Sequence, residues 1–161
     1  MEIPLISTCI ISFNEEDRIR DCLESVKWTN EIIVVDSYST DNTVAICKEY
    51  TDKVFLNKWP GYVEQKNYAL DKASNNWVLC LDADERISEE LVHTIYEELN
   101  TASERYNGFF FRRHSYYMNR LINHGGWYPD YQLRLFRKDK GRWGGINPHD
   151  KVCLQGARKY I

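Results

Sequence analysis

Carboxylates recur in this chain at the ends of apolar runs. Glu15 follows Ile10-Ile11-Ser12-Phe13-Asn14, Asp36 closes Ile32-Ile33-Val34-Val35, and Asp82-Ala83-Asp84-Glu85 follows Trp77-Val78-Leu79-Cys80-Leu81. Crowding three acids into four residues costs free energy unless a cation or a hydrogen-bond donor answers them. The last segment therefore points to a hard divalent metal. In an extended segment residues i and i+2 project to the same side, so Asp82 and Asp84 would aim together at one Mg2+ or Mn2+, with phosphate oxygens completing the octahedron. The other reading of the same residues is a turn capped by Asp84, with Asp82 and Glu85 in solvent.

Placing these acids requires a sheet. Over the first hundred residues the hydrophobic period alternates between strand-like runs and helix-like spacing, the pattern of βαβ units and an α/β fold with a mostly parallel sheet covered by helices on both faces. Strands are predicted at Leu5 to Phe13, Glu31 to Asp36, Val54 to Leu56 and Trp77 to Leu81. Between them, Asn14 is expected to cap a helix whose apolar face is Ile19, Cys22, Leu23 and Val26, at i, i+3, i+4 and i+7. Further helices are expected up to about Tyr50, from Tyr62 to about Ala73, and from Ser88 to near Leu99. In such sheets ligands bind beyond the carboxyl ends of the strands, which is where the acids collect. Beyond Asn100 the pattern changes: Gly108 to Arg113 and Tyr131 to Phe136 read as strands, separated by a segment rich in Tyr, Asn and Gly.

Composition narrows the classes. The 161 residues carry 21 basic and 24 acidic side chains, a net charge of -3, which argues against a phosphate-neutralising nucleic-acid domain. Five Trp, eleven Tyr and six Phe argue against disorder. A single domain of this length buries enough surface to hold together without disulfides. The five cysteines are odd in number and include no CxxC pair, as expected of buried or semi-buried free thiols in a reducing cytosol. No apolar run approaches the roughly 20 residues of a membrane span, and Met1-Glu2-Ile3-Pro4 is unlike a signal peptide, so at most peripheral membrane contact is expected.

Four segments, in this order, resemble the inverting family 2 glycosyltransferases of the GT-A (Rossmann-like) fold. They are Ile10-Ile11-Ser12-Phe13-Asn14-Glu15-Glu16, Ile33-Val34-Val35-Asp36-Ser37-Tyr38-Ser39-Thr40-Asp41-Asn42-Thr43, Gln65-Lys66-Asn67-Tyr68-Ala69-Leu70 and Trp77-Val78-Leu79-Cys80-Leu81-Asp82-Ala83-Asp84-Glu85. Within the family, the Asp-Ala-Asp-Glu form and Trp127-Tyr128-Pro129-Asp130-Tyr131-Gln132-Leu133-Arg134-Leu135-Phe136 are similar to the bacterial lipopolysaccharide core glucosyltransferases. The resemblance runs from about Leu5 to Asp150. It implies one catalytic domain, with residues 1–100 forming the nucleotide-sugar half and residues 101–161 part of the acceptor side. Members of the family usually run longer, and a chain ending at Tyr160-Ile161 with no evident terminating element is expected to be a truncated piece or a divided gene product.

The resemblance also implies roles. Glu15 would meet the nucleoside, and Asp36 would lie beneath the base and ribose. Lys66 would face the nucleotide, its other reading being a solvated helix lysine. Asp84 would touch the metal, with Asp82 on the ribose or on the metal through water. Ser37 stands where many members carry a second acid, which leaves base identity open. Inversion needs a base opposite the leaving diphosphate. Asp130 occupies the family position for it, its other reading being a turn Asp after Pro129. His149-Asp150 is the next candidate, or else a structural loop. Arg134 and Arg137 suit either anionic groups or a solvated surface. Trp127, Tyr128, Trp143 and Tyr116-Tyr117 suit sugar stacking or core packing. The implied reaction moves a hexose, with glucose and a UDP donor favoured, to a hydroxyl of a glycan or lipid-linked acceptor such as lipopolysaccharide core. It would take place in the cytoplasm, at the cytoplasmic face of the inner membrane. A nucleotidyltransferase would want a Gly-rich basic loop after the first strand, which is lacking, and a non-catalytic glycan-binding protein of the same fold is opposed by the intact Asp82, Asp84 and Asp130.

Overall fold

Every residue of the first strand, β1 (Ile6–Ser12), is buried, so it can only be central in its sheet. In the computed structural model, which describes residues 3–117, 120–121 and 129–161, the elements continue as α1 (Ile19–Ser25), β2 (Glu31–Asp36), α2 (Thr43–Lys48), β3 (Val54–Leu56), α3 (Tyr62–Lys72), β4 (Trp77–Asp82) and α4 (Glu89–Ala102). The second half adds β5 (Gly108–Arg113), β6 (Tyr116–Tyr117), β7 (Arg120–Leu121), β8 (Asp130–Arg137), β9 (Gly141–Ile146), β10 (His149–Leu154) and β11 (Arg158–Tyr160). Seven strands form one sheet in the order β11-β5-β8-β4-β1-β2-β3, while β9 and β10 pair as a separate hairpin, as do β6 and β7.

The sheet is mostly parallel. Ile10, Leu79, Leu81 and Leu135 pack against Cys22 and Leu23 of α1, Cys47 of α2, and Ile95 and Leu99 of α4. On the other face Cys9, Ile11, Val78, Cys80 and Phe136 meet Ala69 and Leu70 of α3 and Trp143 of β9. A parallel strand buried on both faces reads as a continuous apolar run, which is why Ile32 to Val35 and Trp77 to Leu81 stand out in the sequence.

The antiparallel exception is β8. It inserts between β4 and β5 and runs against both, with Trp77 opposite Arg137 and Arg113 opposite Asp130. Reversal brings the start of β8 to the same sheet edge as the ends of β4 and β5. The two halves of the chain therefore share one sheet. The last residues, where the sequence pattern marks no strand, supply β11, whose Arg158 to Tyr160 align parallel with Gly108 to Phe110.

Asn14 does not cap the first helix. It adopts a left-handed φ of 51°, and its side-chain oxygen accepts from Thr40 N at 2.8 Å. The amides that follow are answered from the start of α2 and the loop before it: Glu15 N donates to Thr43 Oγ1 at 2.8 Å and Glu16 N to Asp41 Oδ2 at 3.2 Å. Regular helix begins only at Ile19, and the expected apolar face, Ile19, Cys22, Leu23 and Val26, is fully buried. Ser88 does cap α4, accepting from Leu91 N at 3.2 Å. Cys9, Cys22, Cys47 and Cys80 are buried free thiols, and Cys153 is exposed.

At the opposite edge from the acids, Glu31 ties four segments together. It accepts from Ser7 and Lys53, and from Ser74 N at 2.8 Å and Ser74 Oγ at 2.7 Å. Burial pushes this carboxyl up, but the hydrogen bonds from Lys53, Ser7 and Ser74 outweigh it and bring it down to about 2. A folded-state value below the unfolded one gives stability that is present above about pH 4.3 and lost as pH falls towards the folded value. Urea unfolding between pH 6 and pH 2.5 should therefore show the unaltered chain losing its advantage over Glu31→Gln across pH 4 to 2.5. An equal gap at both ends of that range would exclude this titration as the cause.

Candidate functional site

β4 delivers Asp82 to the sheet edge, and the next two residues turn. Glu85 N donates to Asp82 O at 2.9 Å, which places Ala83 and Asp84 at the centre of a reverse turn. Asp82 and Asp84 therefore do not project to the same side as expected, because the segment is not extended. Asp82 points inward and Asp84 is exposed.

Asp82 is compensated by two cations. Its Oδ1 lies 3.0 Å from Lys66 Nζ and its Oδ2 3.2 Å from Arg134 Nη2. Burial pushes its carboxyl up, yet Arg134 and then Lys66 more than offset this and hold it below the usual range. Lys66 is 7% exposed and also pairs with Asp150 Oδ2 at 2.8 Å, so it is not a solvated helix lysine. Arg134 is buried as well, which excludes the solvated-surface reading. Its Nη2 lies 2.6 Å from Glu85 Oε1. Burial alone would depress the guanidinium, but Glu85 and Asp82 raise it. Arg137 pairs with Asp139 at 3.4 Å away from this set.

The same chain of charges reaches the second half. Asp130 Oδ2 accepts from Arg113 Nε at 2.8 Å and lies 2.6 Å from its Nη2, while Gln132 Nε2 donates to Asp130 Oδ1 at 2.6 Å. Arg113 Nη1 lies 3.6 Å from Glu85 Oε1. An unbroken series thus runs Asp130, Arg113, Glu85, Arg134, Asp82, Lys66, Asp150, joining β8, β5, the β4 turn, α3 and β10. Polar residues at alternate positions of β8, Asp130, Gln132 and Arg134, carry this signal in the sequence. The partnership of Arg113 does not show there, because cross-strand register is not local.

A second group sits beside it. Arg18 Nη1 lies 3.6 Å from Glu15 Oε2 and 4.0 Å from Asp84 Oδ2. Burial pushes the Glu15 carboxyl up, and although Arg18 pulls it back, Asp84 and Asp41 add to the rise. Two carboxylates thus crowd one exposed arginine, an arrangement that a divalent cation at Asp84 would relieve. Among the described residues no group of three or more His, Cys, Asp or Glu forms a ready cage. Mg2+ held by one or two carboxylates and completed by phosphate oxygens and water needs none.

Asp36 has a different part. It is fully buried, with Oδ2 accepting from Ser12 Oγ at 2.8 Å and Ser39 Oγ at 2.6 Å, and Oδ1 from Ser39 N at 2.7 Å. Its oxygens hold the Ser37–Ser39 turn, so any effect of Asp36 on a ligand passes through that turn. Ser37 accepts in turn from Gln65 Nε2 at 3.0 Å. The Gln65-Lys66-Asn67 run therefore serves three segments: Gln65 the β2 turn, Lys66 the acids, and Asn67 the β9 backbone, through its contact with Trp143 O at 2.9 Å. His149 and Asp150 open strand β10 rather than lying in a loop. Trp143 is buried and Tyr116 exposed. Trp127, Tyr128 and the side chain of Tyr117 lie outside the described residues.

The family model described as Glycosyl transferase family 2 matches residues 7–159. The chain belongs to that family. A lipopolysaccharide core biosynthesis glycosyltransferase of Rhizobium meliloti, LpsC, is 37% identical over 166 residues, covering 96% of this chain and 59% of LpsC. An uncharacterized glycosyltransferase of Rickettsia typhi is 53% identical over 87 residues, covering 53% of this chain and 30% of its own. This family 2 chain thus spans somewhat more than half of LpsC and less than a third of the Rickettsia relative. Among solved structures, S. aureus TarS residues 1–349 in complex with UDP-GlcNAc superposes with a TM-score of 0.62 at 19% identity, over 83% of this chain and 45% of TarS. Glucosyl-3-phosphoglycerate synthase of Mycobacterium tuberculosis, in complex with Mg2+ and UDP, gives 0.56 at 26% identity, over 68% and 44%. The fold of the family 2 chain is GT-A. Among its described residues no helix is long and apolar enough to cross a membrane.

Proposed function

We propose that this family 2 chain carries the donor site and the base of an inverting hexosyltransferase that uses a UDP-linked sugar, glucose being the favoured hexose. The acceptor is a hydroxyl of a glycan or lipid-linked sugar such as lipopolysaccharide core, at the cytoplasmic face of the inner membrane. The observation that carries this reading is the charge series running from Asp82 and Lys66 at the donor-side strand end to Asp130 at the start of β8. LpsC, similar over nearly the whole of this chain, supports the acceptor class. The UDP complexes of the structural neighbours support the donor.

In this reading Glu15 and the turn held by Asp36 shape the nucleoside pocket, Asp82 with Lys66 faces the ribose and phosphates, and Asp84 holds Mg2+ or Mn2+. Six carboxylates, Glu15, Asp82, Asp84, Glu85, Asp130 and Asp150, stand against four cations, Arg18, Lys66, Arg113 and Arg134. Among these paired groups the carboxylates outnumber the cations, so a diphosphate would meet negative charge. Mg2+ or Mn2+ held at Asp84 would supply positive charge to offset that of the diphosphate. Asp130 accepts the proton of the acceptor hydroxyl while that oxygen bonds to the anomeric carbon and the carbon–oxygen bond to the diphosphate breaks. The electron pair leaves with UDP. Arg113 and Gln132 hold Asp130 in place for that transfer.

A thermal-shift screen of UDP, GDP and their sugars with and without Mn2+ tests the reading. Stabilisation by UDP or UDP-glucose that needs Mn2+ is the expected result, and indifference to every nucleotide in the presence of Mn2+ would reject it. Asp84→Ala should remove the Mn2+-dependent shift while leaving the metal-free unfolding midpoint within about 2 °C, since an exposed side chain contributes within roughly 0.5 kcal/mol. A full Mn2+–UDP shift in that variant would move the metal elsewhere.

A further inference from the structure

Lys66 is held from three sides. Its ammonium lies between Asp82 Oδ1 at 3.0 Å and Asp150 Oδ2 at 2.8 Å, with the Trp143 ring 4.4 Å away. A lysine on a helix surface ordinarily samples many rotamers, and this one is ordered by groups from outside its own helix.

Two of the three groups come from the β9–β10 hairpin, which is not part of the seven-stranded sheet. The hairpin is fastened to α3 along its length. Asn67 Nδ2 donates to Trp143 O at 2.9 Å, and Trp143 N donates back to Asn67 Oδ1 at 3.0 Å. Both terminal nitrogens of Arg142 donate to Asp71, at 2.8 and 2.9 Å, and Val63 N donates to Asn147 Oδ1 at 3.1 Å. Asp150 stands opposite Gly145, which has a φ of 97° and where a Cβ would come within 2.6 Å of His149 O. The strand pairing that presents Asp150 thus depends on a glycine.

We propose that Asp150 and Trp143 are positioning residues that hold Lys66 against Asp82 for the donor phosphates, an inference that rests on reading Lys66 as the phosphate-facing cation. Asp150 acts through Lys66 and is not the base. The sign of one substitution separates this role from a simple nearby charge. Asp150→Asn removes a negative charge close to where the phosphates would lie. If Asp150 were only a nearby charge, its loss would tighten UDP. If it positions Lys66, its loss weakens UDP.

Two measurements on the full chain, each made with all variants folded by circular dichroism, decide it. The first is the rate of Lys66 acetylation by acetic anhydride, read by peptide mass spectrometry without any ligand. Asp150→Asn and Trp143→Leu should each raise it roughly tenfold, the scale of one lost charge-assisted hydrogen bond in the first and of one desolvated cation–π contact in the second, while Trp143→Phe, which keeps a ring, stays protected. The second is UDP affinity in Mn2+ by calorimetry, which Asp150→Asn should lower by roughly tenfold. Lys66 equally protected in Asp150→Asn and Trp143→Leu, or UDP bound more tightly by Asp150→Asn, would overturn the proposal. If the unaltered chain binds no nucleotide while both substitutions still unmask Lys66, the donor reading falls and the positioning of Lys66 by the hairpin stands.

Discussion

Asp130→Asn is expected to lower sugar transfer by roughly 100-fold or more, the range a positioned general base supplies, while Mn2+–UDP binding stays within about twofold. Asn keeps the volume and one acceptor oxygen. Arg113 can still donate to that oxygen, and Gln132 can turn its own amide so that its oxygen accepts from the new NH2. What Asn lacks is the capacity to take the acceptor proton. The measurement is UDP release from UDP-glucose with a core-oligosaccharide acceptor, alongside calorimetric UDP binding. Transfer at the unaltered rate would move the base away from Asp130. An equal loss of binding and turnover would make Asp130 a structural partner of Arg113.

Arg134→Met should destabilise the fold by about 3–5 kcal/mol, the cost of leaving buried charges without their partner. For a chain of this size that lowers the thermal midpoint by roughly 10 °C. Glu85 loses its closest cation, at 2.6 Å, and Asp82 keeps only Lys66. Glu85 also accepts from Asp82 N at 3.0 Å, so the turn that carries Asp84 should loosen with it. Adding Glu85→Gln to Arg134→Met should recover part of the loss, because the stray negative charge is gone. A midpoint unchanged by the single substitution would mean that water already screens this group. Additive single and double effects would mean that Arg134 and Glu85 do not interact.

These expectations differ in how far they could be read from the chain alone. The run Ile32 to Val35, the helix face Ile19, Cys22, Leu23 and Val26, and the Ser88 cap are local patterns, and the structure contains each of them. The failures are where partners come from afar. Asn14 has the chemistry of a cap, but the Thr43 and Asp41 side chains, more than two dozen residues away, reach the amides first. Asp82 and Asp84 would share a face in a strand, but a reverse turn begins at Asp82, because Glu85 folds back onto the Asp82 amide.

The cations show the same division. Lys66 and Arg134 could each be read as solvated, since nothing within a few residues explains burying them. Their counter-charges lie on other strands: Asp150 is 84 positions from Lys66, and Asp82 is 52 positions from Arg134. β9, β10 and β11 lack the apolar runs that marked β1, β2 and β4. β9 and β10 are held by each other and by α3, and β11 by its pairing with β5, rather than by a core of their own.

The sequence by itself determined an α/β chain with carboxylates at the ends of parallel strands and, through four ordered motifs, its resemblance to family 2 glycosyltransferases. Short-range periodicity and side-chain chemistry suffice for that. The tertiary structure alone decided that β8 runs backwards between β4 and β5, bringing Asp130 to the same edge as Asp82. It alone decided that Arg113, Glu85 and Arg134 link the two carboxylates and that Lys66 carries the series on from Asp82 to Asp150, because strand order and register depend on contacts far apart along the chain.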